Sequence, residues 1–161
     1  MLRKARNEDI SRIAEIIVFT KRKTYRDIFK NDNVSFNIIQ VLTEAEKYNA
    51  KGALDNIFVY DDGIVKAVIT VQEHPDKVEL SDFYVDPFFQ NTGIGTQIVD
   101  SIKEKVKAKN KKVCLMVLDK NLSAIKFYEN QGFKYTGNKH EYEKSGFYLL
   151  LYEFYLANFE R

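Results

Sequence analysis

Three β-rich runs separated by two turn signals occupy residues 56–85, and they constrain the fold more than any other feature of the chain. Asn56 to Tyr60 and Ile64 to Glu73 are rich in Ile, Val, Phe and Thr, with Asp62-Gly63 between them. Asp-Gly between two such runs is a strong hairpin signal, because the turn needs positive φ that glycine supplies without strain. His74-Pro75-Asp76 marks a second turn, and Val78 to Val85 reads as a further strand that ends before Pro87. Strands joined by turns this short run antiparallel, which excludes an all-parallel doubly wound sheet.

On either side the apolar period changes to that of helices. From Asp9, Ile10, Ile13, Ile16 and Ile17 recur at three- and four-residue spacing, and Asn7 with Glu8 and Asp9 supplies an N-cap and an acidic first turn. A second helix is expected from Ser35 to Tyr48, with Phe36, Ile39, Leu42 and Ala45 on one face and Gly52 as the break. After Gly93, Ile94, Ile98, Ile102 and Val106 form one stripe. Val113 to Leu118 is apolar without alternation, as expected of a strand buried on both faces. Asn121 to Asn130 predicts a helix with Leu122, Ile125 and Tyr128 inward, closed by Gly132. Phe133 to Thr136 and Phe147 to Tyr155 predict two strands around the polar loop Asn138 to Ser145. The order is strand, helices, antiparallel strands, helix, strand, helix, strands, and the fold class is α+β, a mixed and mostly antiparallel sheet flanked by helices.

Composition narrows the partners. At 161 residues the chain reads as a single domain, residues 1–161, able to bury a core without staples. One cysteine makes no internal bridge, and two histidines without paired carboxylate spacing make no metal site. A net charge of +2, from 25 basic and 23 acidic residues, argues against a dedicated nucleic-acid binder. The basic start Met1 to Arg6 leads into a helical pattern rather than a secretory apolar stretch, and no run is long enough to span a membrane, so a cytoplasmic location is expected.

The chemistry concentrates in Tyr84 to Gly95, where a strand runs into a helix through glycines. Glycine lets the main chain approach a ligand, and the N–H groups of the first helical turn favour phosphate. A tight strand-to-helix turn without a ligand fits the local pattern too. A Walker loop fails here because Gly95 is followed by Thr96-Gln97, and a Rossmann fingerprint fails because its third glycine would be Ile98.

Gln90-Asn91-Thr92-Gly93-Ile94-Gly95 resembles the Gln/Arg-x-x-Gly-x-Gly/Ala signature of the GNAT superfamily of N-acetyltransferases, and Glu79 to Pro87 resembles the strand before it. A second block, Asn121 to Phe133, is similar to the family's C-terminal motif, an Asn opening a helix that carries a Tyr before Gly-Phe. The resemblance implies the GNAT acyl-CoA N-acyltransferase fold and acetyl-CoA as co-substrate, without a metal. It places the pyrophosphate on the main chain of Gln90, Asn91, Thr92, Gly93, Ile94, Gly95 and Thr96. The pantetheine arm would pair with the strand at Phe83, Tyr84 and Val85, with Asn121 and Phe127 also contacting the cofactor. This is strand addition to an open edge, since the family's fourth and fifth strands splay apart.

The implied reaction is direct attack of a primary amine, on a small molecule, a polyamine, or a protein lysine or N-terminus, in a ternary complex. A lysine-type amine has a reference pKa of about 10.4, so a base must remove its proton. Glu79 stands where many family members carry that base; Asp82 is the next carboxylate, and a solvated or ion-paired strand residue is the plainer reading of Glu79. An N–H near Val85 would stabilise the oxyanion, and Tyr128 would protonate the departing thiolate as general acid. The alternatives are another acyl-CoA donor and a non-catalytic acyl-CoA-binding regulatory module; a homodimer fits the family as well. Cys114, inside an apolar run, reads as an inert buried thiol, and His74 as an exposed turn residue. His140 falls in a loop that often borders the family's acceptor site, and Tyr25 to Phe29 either lines that pocket or is an ordinary packed loop.

Overall fold

The computed structural model describes residues 1–30 and 40–155. Its strands are β1 (Leu2–Lys4), β2 (Ile57–Asp61), β3 (Val65–Glu73), β4 (Lys77–Val85), β5 (Lys112–Leu118), β6 (Lys134–Glu141) and β7 (Tyr148–Phe154). Its α-helices are α1 (Ile10–Phe29), α2 (Val41–Glu46), α3 (Ile94–Lys107) and α4 (Leu122–Asn130). Hydrogen bonding orders the strands β1-β2-β3-β4-β5-β7-β6, a mixed sheet in which β4 and β5 run parallel and the pairs β1–β2, β2–β3, β5–β7 and β6–β7 antiparallel. The chain divides into two compact units, Met1–Val71 with Asp82–Ile98, and Gln72–Ser81 with Val99–Arg161.

In the first unit, the Asp62-Gly63 turn forms as expected. Gly63 takes φ 114°, and its N–H donates to Asp61 Oδ1 at 3.0 Å. The helical stripe of α1 buries Ile13, Ile16 and Ile17 against Ile57, Val59, Val65 and Val68 of the sheet, with Tyr48 and Tyr84 packed on the same cluster. Truncating one such isoleucine to alanine costs about 2–5 kcal/mol. Asp9, rather than Asn7, closes the front of α1. Its Oδ2 accepts from the Arg6 N–H at 2.8 Å, and Arg3 donates to both its oxygens at 2.8 and 2.9 Å while also reaching Asp61. The Arg3 hydrogen bonds hold the Asp9 carboxyl below the usual carboxylate range, against the opposing effect of burial.

Two helical expectations change. Tyr25 to Phe29 is not a loop but the last turns of α1, because no glycine or proline interrupts residues 10–29; Lys30 ends the helix in left-handed conformation, φ 51°. Ser35 to Ile39, in the expected second helix, lie outside the described residues. What is described of it, α2, faces the other way: Leu42 is 79% exposed, and the buried side chain is Glu44, held by Lys47 Nζ at 2.6 Å and the Tyr48 hydroxyl at 3.4 Å.

In the second unit, β5 is buried on both faces as expected, with Val113, Cys114, Leu115, Val117 and Leu118 in the core. Within α4 the expected inward Leu122 is instead 71% exposed, while Ile125 and Tyr128 are half-buried. Asn121 N-caps this helix, its Oδ1 accepting from the Ala124 N–H at 3.3 Å. Lys103 donates to the Gln131 carbonyl just past the helix and lies 4.3 Å from the Phe154 ring centroid, where burial pushes its ammonium pKa down. The C-terminal hairpin is tighter than expected. β6 continues through Glu141, so His140 sits on a strand opposite Leu149 and the turn shrinks to residues 142–147. Every residue of β6 is exposed, so pairing with β7 defines this strand rather than any burial pattern.

Candidate functional site

β4 carries the approach to the signature segment. It pairs with β5 only from Lys77 to Leu80, and the strand itself continues to Val85. Between these points Asp82 takes φ 45°, a left-handed conformation that L-residues reach only at a cost. Its Oδ2 accepts from Thr70 Oγ1 at 3.4 Å. The Tyr48 hydroxyl has its pKa pushed up, by burial first and then by the charges of Glu44 and Asp82. Phe83, Tyr84 and Val85 are half-buried; Tyr84 packs on the isoleucine–valine core, with Lys21 Nζ 5.8 Å from its ring centroid. The Val85 carbonyl accepts from Gln90 Nε2 at 3.1 Å and from Thr20 Oγ1 at 3.3 Å.

Asp86 then turns the chain. It caps the short 3-10 segment Pro87–Phe89, accepting the Phe88 N–H at 2.8 Å, and forms an ion pair with Arg12. After it come Gln90, extended, then Asn91 at φ 62° and Gly93 at φ 86°, before α3 begins at Ile94. Left-handed residues within such a turn rotate neighbouring N–H groups toward one side, and the helix that follows adds its unpaired first-turn donors and its dipole. Asn91, Thr92 and Gly93 are exposed, and a Cβ built on Gly93 meets no heavy atom within 4 Å. Ile94 is buried and anchors the helix start; Gly95 and Thr96 complete its first turn. Thr92 Oγ1 donates to the Phe89 carbonyl at 2.6 Å, and the Gln97 N–H to that of Gly93 at 3.0 Å, so the loop is braced from within. A left-handed turn leading into a helix N-terminus, with open space at Gly93, is a backbone of the kind that suits a phosphate.

Three α1 residues escaped the sequence reading. Arg12, Thr20 and Lys23 reach Asp86, the Val85 carbonyl and Gln90, the last with Lys23 Nζ 3.2 Å from Gln90 Oε1. Their spacing of eight and three residues puts them on one helix face, which was the available signal. Glu44 and Tyr48 were missed for a different reason, since the expected helix face pointed to Leu42 instead.

The other predicted residues belong to the second unit. Glu79 stands opposite Cys114, its Oε2 3.4 Å from Lys77 Nζ and 3.7 Å from His74 Nε2. His74 is half-buried rather than simply exposed, and its buried Nε2 has no hydrogen-bond partner among the described residues. Cys114 is buried, and that burial pushes its thiol pKa up, as expected of an inert thiol. Asn121 spends its amide oxygen on the helix cap, which leaves its amide nitrogen as the donor type for a ligand. Phe127 and Tyr128 meet edge-to-face with centroids 5.3 Å apart, and Tyr128 meets Phe133 the same way at 5.8 Å. Among the described residues no group of three or more His, Cys, Asp or Glu could hold a metal ion, and no helix is long and apolar enough to cross a membrane.

Known structures share this fold. The PaiA N-acetyltransferase of Thermoplasma acidophilum, solved in complex with coenzyme A, superposes with a TM-score of 0.74 at 20% identity over 97% of this chain and 98% of that one. YncA, a putative acetyltransferase from Salmonella typhimurium solved with acetyl-CoA, gives 0.67 at 19% over 100% and 96%. The ribosomal-protein-S18-alanine N-acetyltransferase of Escherichia coli gives 0.64 at 16% over 100% and 97%. At these identities the likeness is one of fold. The sequence profile of the acetyltransferase (GNAT) domain matches residues 23–156, most of the chain including the signature loop, and the protein belongs to the GNAT acetyltransferase family.

Proposed function

We propose that the chain acts as one catalytic domain, an acetyl-CoA-dependent N-acetyltransferase that acetylates a primary amine by direct attack in a ternary complex. The observation that carries this reading is the Gln90 to Thr96 backbone, with left-handed Asn91 and Gly93 leading into the N-terminus of α3. Two similar folds, at 20% and 19% identity, were solved with coenzyme A and acetyl-CoA. Acetyl-CoA supplies the acyl group as a thioester. The main chain of Gln90 to Thr96 holds its pyrophosphate, β4 at Phe83 to Val85 offers the edge for its pantetheine arm, and Asn121 and Phe127 contact the same cofactor.

Two proton transfers then fall to this chain's residues. The acceptor amine must lose a proton to attack, and Glu79 takes it, directly or through one water. Lys77 Nζ, 3.4 Å from Glu79 Oε2, helps to position the carboxylate. Asp82, exposed on the left-handed turn of β4, is the alternative carboxylate. Tyr128 donates a proton to the departing sulfur, and an N–H at the end of β4 near Val85 stabilises the charge on the attacked carbonyl oxygen. Losing one such donor costs about 2.7–4 kcal/mol. The acceptor is a small-molecule amine, a polyamine, or a protein lysine or N-terminus, and the site of action is the cytoplasm.

The test is acetyl-CoA turnover over a panel of such amines, read by release of free thiol. Turnover on one class establishes the activity. Binding of acetyl-CoA without turnover on any amine replaces it with a non-catalytic regulatory module, and turnover only with another acyl-CoA changes the donor. Absence of binding removes the reading altogether.

A further inference from the structure

We infer that Arg12, acting through Asp86, is a positioning residue for the phosphate-binding loop; this inference rests on the coenzyme A reading above. Asp86 lies at the hinge between β4 and the loop, four residues before Gln90, and is 4% exposed. Each of its polar groups is committed. Its N–H donates to the Lys66 carbonyl at 2.8 Å, Oδ1 accepts the Phe88 N–H at 2.8 Å, and Oδ2 pairs with Arg12 Nη2. A carboxylate this buried depends on a cation, because loss of one partner strands a desolvated charge.

Arg12 is itself anchored. Its Nε donates to the Val65 carbonyl at 3.0 Å, and Nη1 pairs with Glu15 at 3.1 Å. One guanidinium thus ties α1 to the start of β3 and to the hinge of the loop. Farther along the same helix face, Thr20 grips the Val85 carbonyl and Lys23 grips Gln90, so the approach from Val85 to Gln90 is held at both ends and at its middle.

This bracing matters because the loop offers a ligand only main-chain N–H groups, with no lysine or arginine between Gln90 and Thr96. Donors of that kind work only when their directions are fixed in advance, and the left-handed φ of Asn91, which an L-residue adopts at a cost, is held by its surroundings. Arg12's hydrogen bonds go to Val65, Glu15 and Asp86, none of them within Gln90 to Thr96. It also lies ahead of residues 23–156, the segment matched by the family profile.

The test compares wild type with Arg12→Met, Asp86→Asn and the double variant. It titrates coenzyme A into folded protein by calorimetry and measures steady-state kinetics with acetyl-CoA varied. The expected result is at least tenfold weaker coenzyme A binding in each single variant, a parallel rise in KM for acetyl-CoA, and kcat within twofold of wild type. The double variant should be no weaker than the weaker single one, because both remove the same link. Arg12→Lys, which keeps the charge, should recover part of the affinity and serves where Arg12→Met does not fold. Unchanged affinity in the folded variants, or losses that follow only the folded fraction, overturns the positioning role. A wild-type protein that binds no coenzyme A overturns the functional reading and this inference with it.

Discussion

Gly93→Ala separates what the loop does from what it contributes to stability. Gly93 sits at φ 86°, and a Cβ there meets no heavy atom within 4 Å, so the substitution adds backbone strain without a clash. Left-handed conformation costs an alanine roughly 1–2 kcal/mol. The stiffer unfolded chain returns roughly 0.4–1 kcal/mol. The balance is a loss near 1 kcal/mol, or about 2–4 °C in Tm for a chain of this size. Gly132→Ala is the matched control. It has the same φ of 86°, but its Cβ would stand 3.3 Å from Phe154 Cε2, so it should lose more stability. Ligand binding should reverse that order. If the loop is the phosphate cradle proposed above, the added methyl enters the space left open there, and Gly93→Ala should weaken coenzyme A at least tenfold, or about 1.4 kcal/mol. Gly132→Ala should bind as wild type does. Thermal unfolding by circular dichroism and calorimetry with coenzyme A read the two effects separately. If folded Gly93→Ala binds coenzyme A as tightly as wild type, the loop is not the phosphate cradle and the argument fails.

Other substitutions probe other links. Asp9→Asn should cost about 2 kcal/mol, as expected for charge-assisted hydrogen bonds to Arg3 with little solvent access. Because Asp9 titrates lower when folded, its contribution is complete above its unfolded pKa of about 3.9 and fades as pH falls toward the folded value. Denaturation across pH 2–7 should therefore show wild type losing part of its advantage over the variant in acid, and a constant gap would contradict the assignment. The buried Cys114 thiol should resist aromatic disulfide reagents at pH 8 until denaturant exposes it, and Cys114→Ala should keep acetyl transfer at a stability cost of about 1 kcal/mol. Rapid labelling of native protein would refute the burial. Glu79→Gln should remove the acid limb of the pH–rate profile and lower kcat by about 10²–10⁴-fold, whereas Asp82→Asn should leave that limb in place. The reverse pattern makes Asp82 the base. Tyr128→Phe should slow transfer most with acyl donors whose thiol leaves poorly, and equal slowing across donors would remove it as the acid.

What could be read from the sequence depended on how local its cause was. The α3 stripe, the Asp62-Gly63 hairpin and the doubly buried β5 follow from periodicity and turn chemistry over a few residues, and each formed as read. The outward Leu42 and inward Glu44 could not be read that way. A buried carboxylate with Lys47 and Tyr48 reverses the face that hydrophobicity predicts. Lys134 to Glu141 has no apolar alternation at all, so only pairing with β7 extends that strand to His140. The Arg12–Asp86 link joins residues 74 apart and has no local signature on either side.

Gln90 shows how a legible motif can conceal its own physics. Its place at the head of the signature invites a direct role toward the ligand, yet its side chain turns back into the protein. Nε2 donates to the Val85 carbonyl, and Oε1 accepts from Lys23. A glutamine amide has both a donor and an acceptor, and both are used here. An arginine, which the family pattern also admits, could keep the donor bond to Val85 but has no acceptor for Lys23, and it would set a second cation beside that ammonium. Lys23 and Gln90 are therefore a matched pair in this chain. The pairing explains how a loop without basic residues of its own still has a cation beside its first residue. Among the described residues its hydrogen-bond partner is an amide, so Gln90 positions the ammonium without neutralising it.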